Sequence, residues 1–298
     1  MWFKQLQVFN IRGSIPKNSD DLETQLEELV FERCKAHTPF TAGWAPPLDE
    51  EDDEALVYDH KNYRLFCLQI EEKILPPYVI AQELKEKIKQ IEISQKRTVT
   101  HKEKYAIKDE IYRMLLPQAF SRISKIYAYF DLANKKLILN TVNAKKTELF
   151  FSILHKSLED VRIEPLSLRN LNTIMTNWVQ KENCPKPFEI GDACLLQNPI
   201  AASKMIRLKG QDLSAKSVQL FLTDGYKVKE LEITWQDRVT LVLKEDFHLC
   251  TIKYLEMIVS EAKNTAETDE EKWTANFIIM TGVLNSLIDN LLNVFEKR

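Results

Sequence analysis

Apolar positions along this chain form short alternating runs separated by segments of helical period. Residues 2–11 alternate well enough for a strand, and Ser19-Asp20-Asp21 then caps a helix with the stripe Leu22, Leu26, Leu29 and Val30. Residues 56–59 and 63–70 read as two strands joined by a tight turn at His60-Lys61-Asn62. Pro76-Pro77 opens a long helical region with Ile80, Leu84, Ile88 and Ile91 on one side. The basic segment 95–100 breaks it, and Thr100 caps a second helix carrying Ile107, Ile111, Met114 and Leu115, which Pro117 ends.

Residues 125–131 and 136–142 make a second hairpin around Ala133-Asn134, followed by a helix that Asn143 caps, with Leu149, Phe150, Ile153, Leu154 and Leu158 inward. After Pro165 comes a helix over 171–178, a loop with Pro185 and Pro187, and mixed strand and helix to Leu222. Residues 227–235 and 238–244 form a third hairpin, and a long apolar helix closes the chain from about Asp269. Antiparallel hairpins with helices between them, and no regular βαβ alternation, indicate an α+β fold. Glu164-Pro165 is the best break, giving an N-terminal region 1–164 with a helical tip at about 78–118 and a C-terminal region 165–298.

The 298 residues are 44% hydrophobic and 29% charged, enough to bury a core and to exclude wholesale disorder. The stretch 277–295 is interrupted by Asn285, Ser286, Asp289, Asn290 and Asn293, so no membrane span is expected. Only six glycines occur, about 2% against an ordinary ~7%. None forms a G-x-G or a P-loop, which argues against nucleotide-dependent enzymes that cradle phosphate on a glycine-rich turn. The five cysteines are widely spaced, with no C-x-x-C and no adjacent histidine to complete a zinc site. The first residues lack the apolar run of a signal peptide, and free, mostly buried thiols in a reducing cytoplasm are expected.

Charge is segregated. Residues 83–108 hold eight Lys/Arg against four Glu, 109–120 add a net −1, and 121–146 hold six Lys/Arg against Asp131 alone. The window 83–146 is therefore +8 in a chain of net −3, leaving −11 elsewhere. The acidic run 49–54 reads as a solvated loop, because contiguous carboxylates repel one another and seldom converge on a metal.

Two chemistries suit these patterns. A lysine-rich helical hairpin followed by a strand bearing Lys125, Tyr127 and Tyr129, with Ile126, Ala128 and Phe130 turned inward, combines phosphate neutralisation with stacking platforms for nucleic acid. The same residues equally suit a solvated helix and tyrosines covered by a neighbouring helix. Asp59 at one strand end, with Glu71-Glu72-Lys73 after the next, matches an acid plus E-x-K arrangement for Mg²⁺-dependent cleavage, but the pattern is short and a charged strand end is the simpler reading. Phe120, past Pro117 and between basic segments, reads as an aromatic at a loop tip facing bases or as an anchor for the turn. The five histidines are scattered, and no nucleophile elbow is present. His155 beside its helix stripe has a structural role. The apolar closing helix suits a domain core or a subunit interface.

The order of several motifs resembles the RdgC family of recombination-associated proteins. They are Met1-Trp2-Phe3-Lys4, Glu71-Glu72-Lys73-Ile74-Leu75-Pro76, Leu115-Leu116-Pro117 through Arg122, Ala144-Lys145-Lys146, Lys209-Gly210-Gln211-Asp212-Leu213, Thr234-Trp235-Gln236-Asp237-Arg238, and Phe277-Ile278-Ile279-Met280-Thr281-Gly282. Together they span essentially the whole chain. The resemblance implies a non-enzymatic, nucleoid-associated protein without cofactor. It also implies a homodimeric ring with a positively lined hole, closed by one contact between helical tips and one between bases. Such a ring binds double- and single-stranded DNA with little sequence preference and restrains the RecA recombinase. It implies DNA contacts at Lys89, Lys96, Arg97, Phe120, Arg122, Lys125, Lys209 and Gln211. Gln118 and Gly210 stand where relatives often carry a basic residue, which weakens phosphate contact at those two positions.

Overall fold

A computed structural model of the chain describes residues 1–16, 18–48, 54–256, 258 and 268–296. All of the acidic run except Glu54 lies outside the described residues. Among the described residues, twelve strands form two antiparallel sheets. In the first sheet β1 (Gln7–Gly13) pairs with β6 (Lys136–Leu139) and β7 (Val161–Pro165), and β6 pairs with β5 (Phe120–Asp131). The long β4 (Tyr63–Ile74) pairs with β5 along its whole length. On its other edge β4 takes β3 (Val57–His60) and then β2 (Phe40–Ala45) end to end. The second sheet runs β12 (Leu249–Tyr254), β11 (Val239–Lys244), β10 (Lys227–Trp235), β8 (Phe188–Gln197), β9 (Met205–Leu208).

One face of the first sheet, with Phe66, Leu68, Ile126, Ala128 and Phe130, packs under α1 (Ser19–Glu27) and α4 (Ala144–Ser157). Trp44 centres that core: its ring lies edge-on to Phe66 and Phe150, and its indole N–H donates to Ser157 at 2.8 Å. The opposite face, with Leu65 and Tyr129, shares a second core with the five-stranded sheet, α5 (Leu171–Lys181), α6 (Lys216–Thr223) and the closing helix α7 (Asp269–Glu296). Residues on both sides of Glu164-Pro165 therefore line one core, and β7 is an edge strand of the first sheet.

By length and mean hydropathy the stretch Glu271–Phe295 qualifies as a membrane span, so its polar interruptions decide nothing. Packing explains its composition. Phe277, Met280, Leu284, Leu287, Ile288 and Leu291 are buried against both sheets, placing the closing helix in a core of this chain.

Three sequence expectations shift. Residues 2–5 do not extend β1: Leu6 exchanges hydrogen bonds with Leu249, and the Lys4 carbonyl accepts from Ile252, so this segment clasps the second sheet. Helix α1 starts at Ser19 rather than being capped by it, and stops at Glu27, because Leu29 and Phe31 pair with Trp44. Glu71-Glu72-Lys73 belong to β4 itself, held there by pairing to β5 as far as Phe120.

Candidate nucleic-acid interface

Beyond Ile70 and Ser124, β4 and β5 stay paired as far as Ile74 and Phe120, with β2 flanking β4 to Glu72, and this end of the two strands carries the helical hairpin α2 (Pro77–Gln95) and α3 (His101–Leu115). The sequence forms this hairpin for local reasons. Proline opens α2, and Lys96 ends it in the left-handed region. Thr100 and Glu103 make a reciprocal capping box that starts α3. Ile80, Val99 and Ile111 are buried between the helices, which pack chiefly on each other.

Electrostatically the hairpin is mostly unspent cation. Lys87 pairs with Glu110 at 2.7 Å, and Arg113 with Asp109. Among the described residues Lys85, Lys89, Lys96, Lys102, Lys104 and Lys108 form no salt bridge, and all six are exposed. Arg97 differs. Its guanidinium grips both Glu103 oxygens (2.6 and 2.9 Å), and this contact with the Thr100 bonds holds the Glu103 carboxyl down to about 2. Arg97 therefore answers a local carboxylate before any ligand.

On β5, Phe120 is the first residue of the strand, paired with Ile74, rather than a loop tip. Its ring is nevertheless 87% exposed, the most open aromatic among the described residues. Arg122 faces Glu72 across the two strands at 2.9 Å in an exposed pair. Lys125 reaches back to the Pro46 carbonyl at 2.9 Å. Tyr129 is no stacking platform: α7 covers it, and Asn285 accepts its hydroxyl at 3.1 Å. Tyr127 is half-buried on that face. The inward residues Ile126, Ala128 and Phe130 lie in the core.

Lys209 and Gln211 follow β9, on the other sheet. Gln211 lines a cleft of about 710 Å³ with Glu182, Glu189, Asp192 and Asp212. Beside it burial, with Asp192 as neighbour, pushes the Glu232 carboxyl up. The structure thus gathers Phe120, Arg122 and Lys125 on one strand and Lys89, Lys96 and Arg97 on the hairpin that this strand carries, while Gln211 sits among carboxylates. A second cavity, of about 700 Å³, is lined by Lys4, Lys125 and Lys146, with no carboxylate among the described lining residues. Lys146 closes the basic window, but Lys4, 121 positions before Lys125, escapes a scan for clustered charge. Their visible signal is the family-like Met1-Trp2-Phe3-Lys4 and Ala144-Lys145-Lys146.

The hydrolytic constellation does not assemble. Asp59 sits opposite Arg64 and Glu71 lies seven residues farther along β4, about 23 Å away at 3.3 Å per residue. Glu71 instead accepts the Cys34 amide at 2.8 Å, and Ser121 and that amide hold its carboxyl below the usual range. Lys73 donates to the carbonyls of Ala36 and Leu116 at 2.6 and 3.1 Å, tying down the base of the hairpin. Among the described residues no group of three His, Cys, Asp or Glu converges as a metal cluster would. Cys67, Cys194 and Cys250 are buried, and none of the five cysteines forms a disulfide. His155 is exposed and stacks on Phe151.

A family model described as "Putative exonuclease, RdgC" matches residues 1–298. The recombination-associated protein RdgC of Yersinia enterocolitica (serotype O:8 / biotype 1B) is 33% identical over 294 residues, covering 98% of this chain and 97% of the relative. The protein of the same description from Yersinia pestis (strain Pestoides F) is 32% identical with the same coverage. Because the match runs from the clasping N-terminal segment through β4, β5 and the hairpin to the closing helix, the chain belongs to the RdgC family of recombination-associated proteins.

Proposed function

We propose that this chain is a non-enzymatic, sequence-nonspecific DNA-binding protein, without cofactor, of the cytoplasmic nucleoid. It acts as a ring-shaped homodimer that encircles duplex DNA, also takes single strands, and limits RecA-dependent recombination. The observation that carries this reading is the set of six exposed lysines, without a salt bridge among the described residues, on the hairpin carried by the far ends of β4 and β5. A flat cluster of cations this dense repels itself, and a polyanion relieves it. Region 1–164 with its tip supplies one ring contact, for which Ile93 and Tyr105 stand exposed on the hairpin, and region 165–298 supplies the other. Enclosure removes the need to read bases, since phosphates are contacted whatever the sequence. A ring also lets a chain of net −3 hold DNA, with cations inward and carboxylates facing solvent.

The contact residues in this reading are Lys89, Lys96, Arg97, Phe120, Arg122, Lys125, Lys209 and Gln211. Six to ten phosphate contacts should cost roughly 10³ to 10⁵ in affinity between 50 and 200 mM salt. Anisotropy titrations measure this, and light scattering should return twice the 34.8 kDa chain mass. A flat salt response or a monomer refutes the proposal. Supercoiled plasmid with Mg²⁺ should stay intact, and cleavage that Glu71→Ala abolishes would establish an enzyme instead. Charge reversal at Lys96, Arg97 and Lys125 should lower recombinase inhibition in step with DNA affinity. Inhibition that survives loss of DNA binding would mean direct contact with the recombinase.

A further inference from the structure

We propose that Phe40 and Ile74 extend Phe120 into an apolar strip that stacks unpaired bases, a platform for single-stranded DNA on the first sheet. The inference deepens the DNA-binding reading and rests on it for the nucleic acid itself. Sheet geometry puts these residues together. Residues directly opposite on neighbouring antiparallel strands project from the same face, and so do residues two apart on one strand. Phe40 stands opposite Glu72, Glu72 opposite Arg122, and Ile74 opposite Phe120. All five side chains therefore share one face, with Phe40 diagonal to Ile74 and Ile74 beside Phe120.

This is the face that α1 and α4 cover nearer its middle, where Leu68, Ile126 and Phe130 are buried. The strands outrun that cover. β4 and β5 have 12 residues each, about 40 Å of strand, whereas the 14 residues of α4 span about 21 Å. Past the helices the apolar character continues without burial: Phe40 is 51% exposed and Ile74 44%, beside the 87% of Phe120. Two strand spacings across and two residues along set the Cα atoms of Phe40 and Phe120 roughly 12 Å apart, room for a separate base on each ring. Tyr127 and Tyr129 lie on the opposite face, toward the second core.

The charges around the strip favour a single strand as its occupant. Arg122 lies within it, and its pair with Glu72 is exposed on both sides, a weak contact that a phosphate displaces. Two residues along β5, on the same face, the Lys146 ammonium reaches the Ser124 hydroxyl at 3.4 Å and brings a second cation there. Aromatic rings beside a guanidinium and an ammonium hold base and phosphate of one strand together. A duplex keeps the π faces of its bases inside its own stack, so it offers this strip phosphate alone.

The test compares the full chain with Phe40→Ala and Phe40→Trp, and with Leu220→Ala as a loss of exposed apolar surface on α6. Three probes are titrated: an oligothymidylate, a strand of the same length with abasic sugars, and a duplex. Phe40→Ala should lose roughly five- to tenfold on the oligothymidylate, the low end for removing a stacking aromatic, with the slope of log K against log salt unchanged because no charge is removed. Its affinity for the abasic strand and the duplex should stay at the wild-type value, and Leu220→Ala should match wild type on all three. Phe40→Trp should keep wild-type affinity. Its added indole emission should be quenched by the oligothymidylate and not by the abasic strand, a readout that stands even where Phe40→Ala fails to fold. Equal losses on the oligothymidylate and the abasic strand overturn the platform, as do an unchanged affinity of Phe40→Ala, the same loss in Leu220→Ala, or an unquenched indole. A lower solution mass for Phe40→Ala would identify this face as a contact between copies, and overturns it too. Should wild type bind none of the probes, the DNA-binding reading falls and the platform with it; should wild type and Phe40→Ala bind all three alike, the platform alone falls.

Discussion

Asn285 is the joint through which α7 grips the first sheet, and removing it has a calculable cost. Its amide donates to the Tyr63 hydroxyl at 2.9 Å and to Asp131 at 2.8 Å, while its carbonyl oxygen accepts from Tyr129 at 3.1 Å. Asp131 keeps two bonds from Asn134 after truncation, at 3.0 and 2.8 Å, so its carboxylate is not stranded. Tyr129 is fully buried and its hydroxyl has no other hydrogen-bond partner among the described residues, so Asn285→Ala leaves that hydroxyl unsatisfied. Three lost hydrogen bonds at about 1 kcal/mol each, with a fraction of the ~1–3 kcal/mol for an orphaned hydroxyl, give about 3–4 kcal/mol. At ~2–4 °C per kcal/mol for a large domain the melting point falls on the order of 10 °C.

Asn285→Asp is the sharper version. It keeps the shape but sets a second carboxylate against Asp131 at hydrogen-bond distance. The introduced acid has its folded pKa raised above the unfolded value, so its protonated form favours folding. Destabilisation should therefore be large at pH 7 and shrink as pH falls toward the ordinary carboxylate range and below. Urea titrations of wild type and both variants at pH 7 and pH 4.5 measure it. A cost under about 1 kcal/mol for Asn285→Ala, or no pH dependence for Asn285→Asp, would refute the account of how α7 docks.

Glu103→Gln preserves the capping box, since glutamine serves at that position, but releases Arg97. Helix content should hold while DNA affinity rises, and a fall in affinity would show that the pair, not the free guanidinium, matters. In wild type, the Glu103 carboxyl held at about 2 means its contribution is complete above the ordinary glutamate range and fades as pH drops toward 2, which carboxyl chemical shifts follow. Gly43→Ala would place a Cβ 2.6 Å from the Phe31 backbone, so it should destabilise by at least ~1–3 kcal/mol and loosen the segment whose Cys34 amide and Ala36 carbonyl hold Glu71 and Lys73. Burial pushes the Cys184 thiol up to about 12 and Cys194 to about 11, so both should resist alkylation at pH 8 until the protein is unfolded.

What the sequence shows of this fold is local, and what it hides is the second cover. The Thr100 cap, the proline that opens α2 and the turn into β6 depend on residues within a few positions of each other, and each reads directly. The strand 125–131 alternates as expected, yet both its faces are buried, because α7, more than a hundred residues later, lies over Tyr129. No periodicity within the strand reports a helix arriving from so far along the chain. The charged end of β4 misleads for the same reason. Glu71 and Lys73 look like a strand exit until Cys34, Ser121 and Leu116 supply their partners from two other segments.

The same distinction governs the charges. Sequence counting finds the +8 window, but only geometry separates Arg97 and Arg122, which already face carboxylates, from the hairpin lysines that do not. An exposed ion pair contributes ~0–1 kcal/mol, so a phosphate can displace Glu72 from Arg122 at little cost. The lysines need no displacement at all. Binding strength should therefore follow the hairpin, and the arginines should adjust it. The hairpin helices pack chiefly on each other, whereas the carboxylates around Gln211 line a cleft built from other elements. Exposed charges farther apart than a Debye length, about 8–10 Å at ordinary salt, scarcely act on one another, so local rather than summed charge decides what a patch attracts. A net charge of −3 is compatible with the proposed affinity for a polyanion for that reason.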